Sequence, residues 1–199
     1  MKNMILIFTA AVIGLSAAPA NEETWKVDTK LSNLEWSGKK PTGEHKGTIN
    51  LSSGTLSVKD GAVTGGAFEI DMNSLVNKDL TGEWIGKLEG HLKSADFFDV
   101  TGFPKAKFEI TSVTPVAAGK EGGFTHSVKG NLTIKGKTNE IGFDAVIKIK
   151  DGKAACSGTA VVDRSKFDVR YGSKSFFADI GDKIIYDDFT VKMNVVAVK

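Results

Sequence analysis

The chain has 199 residues, with 26 basic and 24 acidic side chains, three histidines and a single cysteine. So even a balance excludes the concentrated positive potential that nucleic acid demands, and one thiol excludes an internal disulfide. The length suits one domain with a core large enough to hold itself together. Residues 1–20 read as a secretion signal. Lys2 gives a short positive start, residues 4–15 form the apolar run, and Ala18 and Ala20 are placed as an A-x-A cleavage site. The alternative is a retained membrane anchor, but the run is shorter than the roughly 20 apolar residues a span needs. No Cys sits at the cleavage site to accept a lipid. The expected mature protein starts at Asn21, is soluble without a stable membrane anchor, and carries 25 basic side chains (26 less Lys2) against 24 acidic.

After residue 24 the dominant signal has period two. Ile141, Phe143, Ala145, Ile147 and Ile149 alternate with mostly polar neighbours, and Phe189, Val191, Met193, Val195 and Ala197 do the same. Shorter copies run through Ala106, Phe108 and Ile110, and through Val128, Gly130, Leu132 and Ile134. Strict alternation means strands with one buried and one wet face, the pattern of antiparallel sheets. Strands are expected at 24–29, 32–40, 43–58, 62–72, 104–115, 124–136, 138–150, 153–163 and 186–198. Merging one pair leaves eight. Asp60-Gly61 and Asp151-Gly152 supply tight hairpin turns, and residues 118–123 a longer, glycine-rich one. Twenty-two glycines suit the bends of a closing sheet. Eight strands make the barrel size whose interior holds one small ligand.

One stretch breaks the rhythm. Between Leu80 and Phe98 the residues Trp84, Ile85, Leu88, Leu92 and Ala95 fall at helical spacing. The pattern predicts a short helix across the barrel, between two strand groups. Cys156 shares parity with Ala154, Gly158, Ala160 and Val162, so it reads as a small buried hydrophobe. The expected fold is all-β: one antiparallel eight-stranded barrel over residues 21–199.

Five stretches then occur in order. They are Trp36-Ser37-Gly38 with Thr42-Gly43-Glu44-His45-Lys46-Gly47; Ile70-Asp71-Met72-Asn73-Ser74; and residues 91–100 (HLKSADFFDV) with Phe103-Pro104-Lys105-Ala106-Lys107-Phe108. Residues 128–138 (VKGNLTIKGKT) and Asp163-Arg164-Ser165-Lys166-Phe167 complete the series. Together they resemble the YceI-like, polyisoprenoid-binding proteins of the bacterial periplasm, over nearly the whole mature chain. The resemblance implies a lipocalin-like barrel whose tunnel accepts a polyprenyl chain or similar amphiphile. It implies a periplasmic location, with an extracellular one as the variant, and leaves a homodimer open.

The chain carries twelve Phe, three Trp and two Tyr. Any one of them fits ordinary core packing, but as a set they suit a tunnel with few polar groups. Each buried CH₂ contributes roughly 0.8 kcal/mol. About ten carbons of tail therefore give some 8 kcal/mol, a micromolar affinity before ordering costs. The residues expected at the ligand are Trp36 and His45 from the opening strands, with Leu88, His91 and Leu92 from the helix. Phe97, Phe98, Phe103, Phe108 and Arg164 complete the set. Being adjacent, Phe97 and Phe98 are not expected to face the tunnel together.

His45, His91 and His126 show no metal-ligand spacing, and no cofactor is expected. His91 either meets a lipid head or ties the helix to a strand carbonyl, and His126 points inward near a barrel end. Arg164 either holds a phosphate or carbonyl head or locks a loop by pairing with Asp96, Asp99 or Asp187. The loop acids cannot be read as a catalytic pair, and nucleophile-elbow and phosphate-loop motifs are missing from the sequence. Three functions follow. The leading one is a non-enzymatic carrier for an isoprenoid or other long-chain lipid. The alternatives are an enzyme on a hydrophobic substrate in the same cavity, with His91 or His126 as base, and an interaction module with a filled core.

Overall fold

The computed structural model describes residues 21–117, 121–179 and 181–199. The signal-peptide reading therefore lies outside the described residues, as does the part of the expected 118–123 turn at 118–120. Nine strands form one antiparallel sheet: β1 (Glu22–Val27), β2 (Asn33–Lys40), β3 (Gly43–Lys59), β4 (Ala62–Asn77), β5 (Lys105–Pro115), β6 (His126–Ile134), β7 (Lys137–Lys150), β8 (Lys153–Asp163) and β9 (Asp188–Val198). A single helix, α1 (Glu83–Lys93), separates β4 from β5.

The sheet closes into an eight-stranded barrel because β1 and β2 share one position. β2 pairs with the first part of β3 and with residues 189–194 of β9. β1 continues that line, pairing with residues 55–59 of β3 and with Ala197 and Val198. Between them the chain turns on Asp28, whose carboxylate accepts from the Lys30 and Leu31 N–H groups at 2.9 and 3.1 Å. That turn ends β1 at Val27, two residues before the expected 29. The β3–β4 ladder closes the ring.

The hairpin expectations hold in detail. Asp60 and Gly61 (φ 52° and 76°) and Asp151 and Gly152 (φ 50° and 70°) take the left-handed pairs such turns require. β4 runs to Asn77 rather than 72, because a register shift keeps it beside β3. Ser74 Oγ accepts from Asn50 N–H at 2.8 Å, and pairing resumes at Thr48↔Val76 and Gly47↔Asn77. A bulge of this kind breaks the alternation that marks a strand in sequence.

Between β7 and β8 the ladder spans only Ala145↔Gly158 to Lys150↔Lys153. Beyond it the two strands diverge, and a 3-10 turn at Arg164–Phe167 fills the gap. Asn139 Nδ2 donates to Lys166 C=O at 2.9 Å, and Phe167 and Val169 are buried behind.

One barrel end is sealed and the other is elaborated. The sealed end carries the Asp60-Gly61 and Asp151-Gly152 turns, and Trp25, Val27, Val58, Ala154 and Ala197 pack beneath it as a solid floor. At the opposite end lie the β2–β3 turn, α1 and the long connection from Arg164 to Asp187. The helix is shorter than the 80–98 stretch suggested. Ser94 leaves helical geometry and its Oγ bonds the His91 carbonyl at 2.7 Å. Glu89 accepts from Asn77 N–H at 2.8 Å and anchors α1 to the end of β4.

Candidate functional site

Above the floor the barrel is hollow. A cavity of about 340 Å³ is walled by inward positions of β2 to β9, with α1 and the 185–186 segment at its open end. The lining follows the predicted alternation: Ile141, Phe143, Ala145 and Ile147 on β7 face Phe189, Val191, Met193 and Val195 on β9. Aromatic rings pack along one side, with Phe108 between Phe68 at 6.3 Å and Phe143 at 5.9 Å between centroids. A Cβ on Gly130 would come within 2.5 Å of the Phe108 ring, so a glycine is what lets that ring lie flat on β6. Cys156 lines the wall, and burial pushes its thiol up to about 11, leaving it protonated at neutral pH.

Nine of the ten expected residues lie on the cavity wall. Trp36 faces inward on β2 against Gly47, with Nε1 donating to Val76 C=O at 3.2 Å. Leu88, His91 and Leu92 share one face of α1 at the i, i+3, i+4 spacing. Phe97 and Phe98 both line the cavity, against expectation. They sit in a turn after α1, where Phe97 N–H bonds Ser94 C=O and Phe98 N–H bonds Leu92 C=O, so strand alternation does not govern them. Their rings meet edge to face at 4.9 Å. Phe103 is the exception. It precedes Pro104, lies outside the cavity and is 37% exposed beside Gly136.

Arg164 reaches the wall but has little left to offer a ligand head. Only 2% exposed, it donates Nε to Tyr186 C=O (3.2 Å), Nη1 to the carbonyls of Val169 and Tyr171 (2.9 and 2.8 Å), and Nη2 to Ile185 C=O (2.9 Å). Nη2 also faces Asp187 Oδ1 at 3.3 Å. This is the loop-locking role, with Asp187 as the partner rather than Asp96 or Asp99. Burial pulls the guanidinium below its ordinary value, opposed by the charges of Asp187 and Asp163. Burial pushes Asp187 up, but hydrogen bonds from Ser173 and Ser175 and the Arg164 charge outweigh it and hold the carboxyl below its usual range.

His91 is lodged between Phe97 (5.6 Å) and Tyr171 (4.3 Å), and its buried Nε2 has no hydrogen-bond partner in the protein. Nε2 therefore ties α1 to no strand carbonyl, and the ring stands on the cavity wall, where the other expected role, contact with a lipid head, would place it. His45 Nδ1 pairs with Asp79 at 2.8 Å, and Asp79 also accepts from Lys46 N–H at 2.8 Å. Burial pushes Asp79 up, but the bonds from Lys46, His45 and Asn77 together hold it low. His126 lies at the sealed end, where Nδ1 meets Thr125 Oγ1 at 2.8 Å. It does not line the cavity.

The model of the YceI-like domain matches residues 25–197, the barrel and its cap together. The chain belongs to the YceI-like domain family. A UPF0312 protein of Pseudomonas fluorescens is 34% identical over 84 residues, 39% of this chain and 42% of that one. The UPF0312 protein SA2479 of Staphylococcus aureus is 46% identical over 56 residues, 28% and 27% of the two chains. The chain thus spans less than half the length of the curated relatives it matches. Among solved structures, Burkholderia cenocepacia BcnA superposes with a TM-score of 0.67 at 23% identity, covering 86% of this chain and 99% of that one. A polyisoprenoid binding domain from Saccharophagus degradans, described as implicated in plant cell wall breakdown, gives 0.56 at 13% identity, covering 87% and 97%. The Campylobacter jejuni YCEI protein gives 0.53 at 16% identity, covering 100% and 99%. At these identities the structural likeness shows the YceI-like fold.

Residues missed from sequence at the open end of this YceI-like barrel include Lys40 and Tyr186. The first was legible, since it continues the parity of Leu34 and Trp36. The second lies in an irregular connection with no periodic signal.

Proposed function

We propose that this YceI-like protein is an exported, periplasmic carrier that sequesters an isoprenoid lipid or a similar long-chain amphiphile inside its barrel. The observation that carries the reading is the cavity itself: an apolar hollow with a sealed floor and one elaborated end, where a filled core was the alternative. Its lining is aliphatic and aromatic, so transfer of a tail from water is the driving force, at roughly 0.8 kcal/mol per buried CH₂. The volume falls in the roughly 300–1,000 Å³ range of small-molecule pockets. The Saccharophagus domain of the same fold, titled polyisoprenoid binding, supports the isoprenoid class. The A-x-A site at Ala18 and Ala20 supports export.

Purification of the exported protein without detergent, followed by organic extraction and mass spectrometry, tests the reading. A co-purifying long-chain lipid in near-stoichiometric amount is the expected result. Recovery of a chemically altered product from an added lipid turns the assignment toward an enzyme. Protein that neither carries nor takes up any amphiphile ends the carrier reading.

A further inference from the structure

The cavity lining is charge-asymmetric. Among the described residues that form it there is no Asp or Glu, whereas Lys39, Lys40, His45, His91 and Arg164 all belong to it. The chain as a whole is nearly balanced, 26 basic against 24 acidic, so the bias is local. All five groups stand at the open end of the barrel, and none on the floor.

The β2–β3 hairpin decides which of them can meet a ligand head. Lys39 falls on the outer face with Ser37, and opposite it stands Glu44. Lys40 keeps the inward parity of Leu34 and Trp36. His45 is paired with Gly38, and Lys40 with Gly43. Lys40 and His45 are therefore diagonal neighbours on the inner face, roughly 7–8 Å apart along the sheet. Asp79 fixes the imidazole through Nδ1, leaving Nε2 as its remaining hydrogen-bonding atom.

Among the described residues no carboxylate pairs with Lys40. Four described acids at the open end are engaged elsewhere: Glu44 with Ser37 Oγ, Asp79 with His45 and Lys46 N–H, Glu89 with Asn77 N–H, and Asp187 with Arg164 and Ser175. A positive rim over a low-dielectric hollow concentrates the field on whatever group sits there.

We propose that the mouth is an anion-binding subsite, with Lys40 and His45 holding the oxyanion head of an acidic amphiphile, a carboxylate or a phosphate, while its tail fills the barrel. This deepens, and rests on, the carrier reading. Lys40 acts as a point charge on a flexible stem, so either head satisfies it. The tail supplies affinity and the rim supplies selection.

The test is displacement of a fluorescent apolar probe from delipidated protein, by two matched pairs below their micelle concentrations. The pairs are oleate with oleyl alcohol, and farnesyl phosphate with farnesol. In the wild type at least one acid is expected to bind tenfold or more tighter than its alcohol, about 1.4 kcal/mol. The acid that shows the larger gap identifies carboxylate or phosphate as the head. Lys40→Glu should bring the gap within about threefold, and so should 500 mM NaCl, because the rim is exposed to screening. Lys46→Glu, on the outer face of the same hairpin, should leave it intact. Acids and alcohols binding alike to wild type, or a gap that survives Lys40→Glu, overturns the subsite while the carrier stands. Displacement by none of the four overturns both.

Discussion

The His91 imidazole stands edge-on to the Tyr171 ring, with 4.3 Å between their centroids, and joins α1 to the connection between β8 and β9 across the open end of the barrel. The two segments are 80 residues apart in sequence and share no ladder. Ring packing links them at His91, which stands on the cavity wall. Aromatic pairs of this geometry contribute about 0.5–1.5 kcal/mol beyond their burial, and Tyr171 is 47% exposed, which places it at the lower end. Tyr171→Ala is expected to lower stability by about 0.5–1 kcal/mol in urea and to speed release of a bound probe several-fold. Tyr171→Phe keeps the ring and should match wild type in both. An unchanged release rate in Tyr171→Ala would show that the cap opens elsewhere.

Arg164 should be the most sensitive position in the cap. Its guanidinium satisfies four carbonyls of the 169–186 segment and faces Asp187. Arg164→Leu leaves those carbonyls without their donor and the Asp187 carboxylate without its counter-charge, a loss of about 3–5 kcal/mol. Arg164→Lys keeps the charge but not the fork of donors, so it should recover only part of that. Chemical denaturation of the three proteins checks the order. Equal stability of the Lys variant and wild type would reduce Arg164 to a simple counter-ion.

Acid should loosen the same region. The folded-state pKa of Asp187 lies below its ordinary value, so its ionised form is favoured in the folded protein. That contribution is complete above the unfolded pKa near 4 and is lost as pH falls through the folded value. The thermal midpoint should therefore drop as the pH falls below about 4, and Asp187→Asn should blunt that drop while lowering stability at neutral pH. Parallel pH profiles in the two proteins would assign the acid sensitivity to other carboxylates.

Much of this architecture was legible because one chemical rule, alternation, governs most of the chain. It placed Phe143, Phe189 and Val191 inward without any structural information. It also puts Lys40 on the inner face, since Leu34 and Trp36 precede it at the same parity. Three features lay beyond it. A filled core and a hollow one require the same alternation, so only packing separates them. Phe97 and Phe98 sit in a turn, where the side chains of adjacent residues can point the same way. Arg164 spends its donors on backbone carbonyls of an irregular loop, and carbonyl positions leave no trace in residue type. Phe103 shares only proximity in sequence with its aromatic neighbours: it closes a turn that starts at Asp99 (φ 48°), with its N–H on the Asp99 carbonyl at 2.8 Å, and it stays 37% exposed.

The register of β7 can be tested by a pair of charges. Phe143 lines the cavity and packs against Phe108, while Lys148 is exposed on the outer face. Phe143→Asp sets an unpaired carboxylate in an apolar wall and is expected to be severely destabilising. Lys148→Glu should change stability by less than about 0.5 kcal/mol. Similar effects in chemical denaturation would mean that β7 is shifted by one residue, which turns every side chain to the other face.

The carrier reading makes its sharpest demand at Leu92. This side chain lies on the cavity face of α1, one turn from Leu88 and beside the Phe97 and Phe98 turn. Its neighbours on one side are packed rings, and on the other there is open volume. Added bulk therefore has somewhere to go. In a filled core Leu92→Trp would overpack and lose roughly 1–3 kcal/mol. Here the larger ring should swing into the hollow, leave the fold intact and occupy the space a tail needs. The expected outcome is a thermal midpoint within a few degrees of wild type for delipidated protein, together with at least a tenfold loss of affinity for a fluorescent polyprenyl analogue, about 1.4 kcal/mol. The two measurements must be made on the same preparation, because either alone is ambiguous. Lower stability with affinity unchanged would mean that the space beside α1 is closed in solution, and that the tail, if one binds, lies elsewhere.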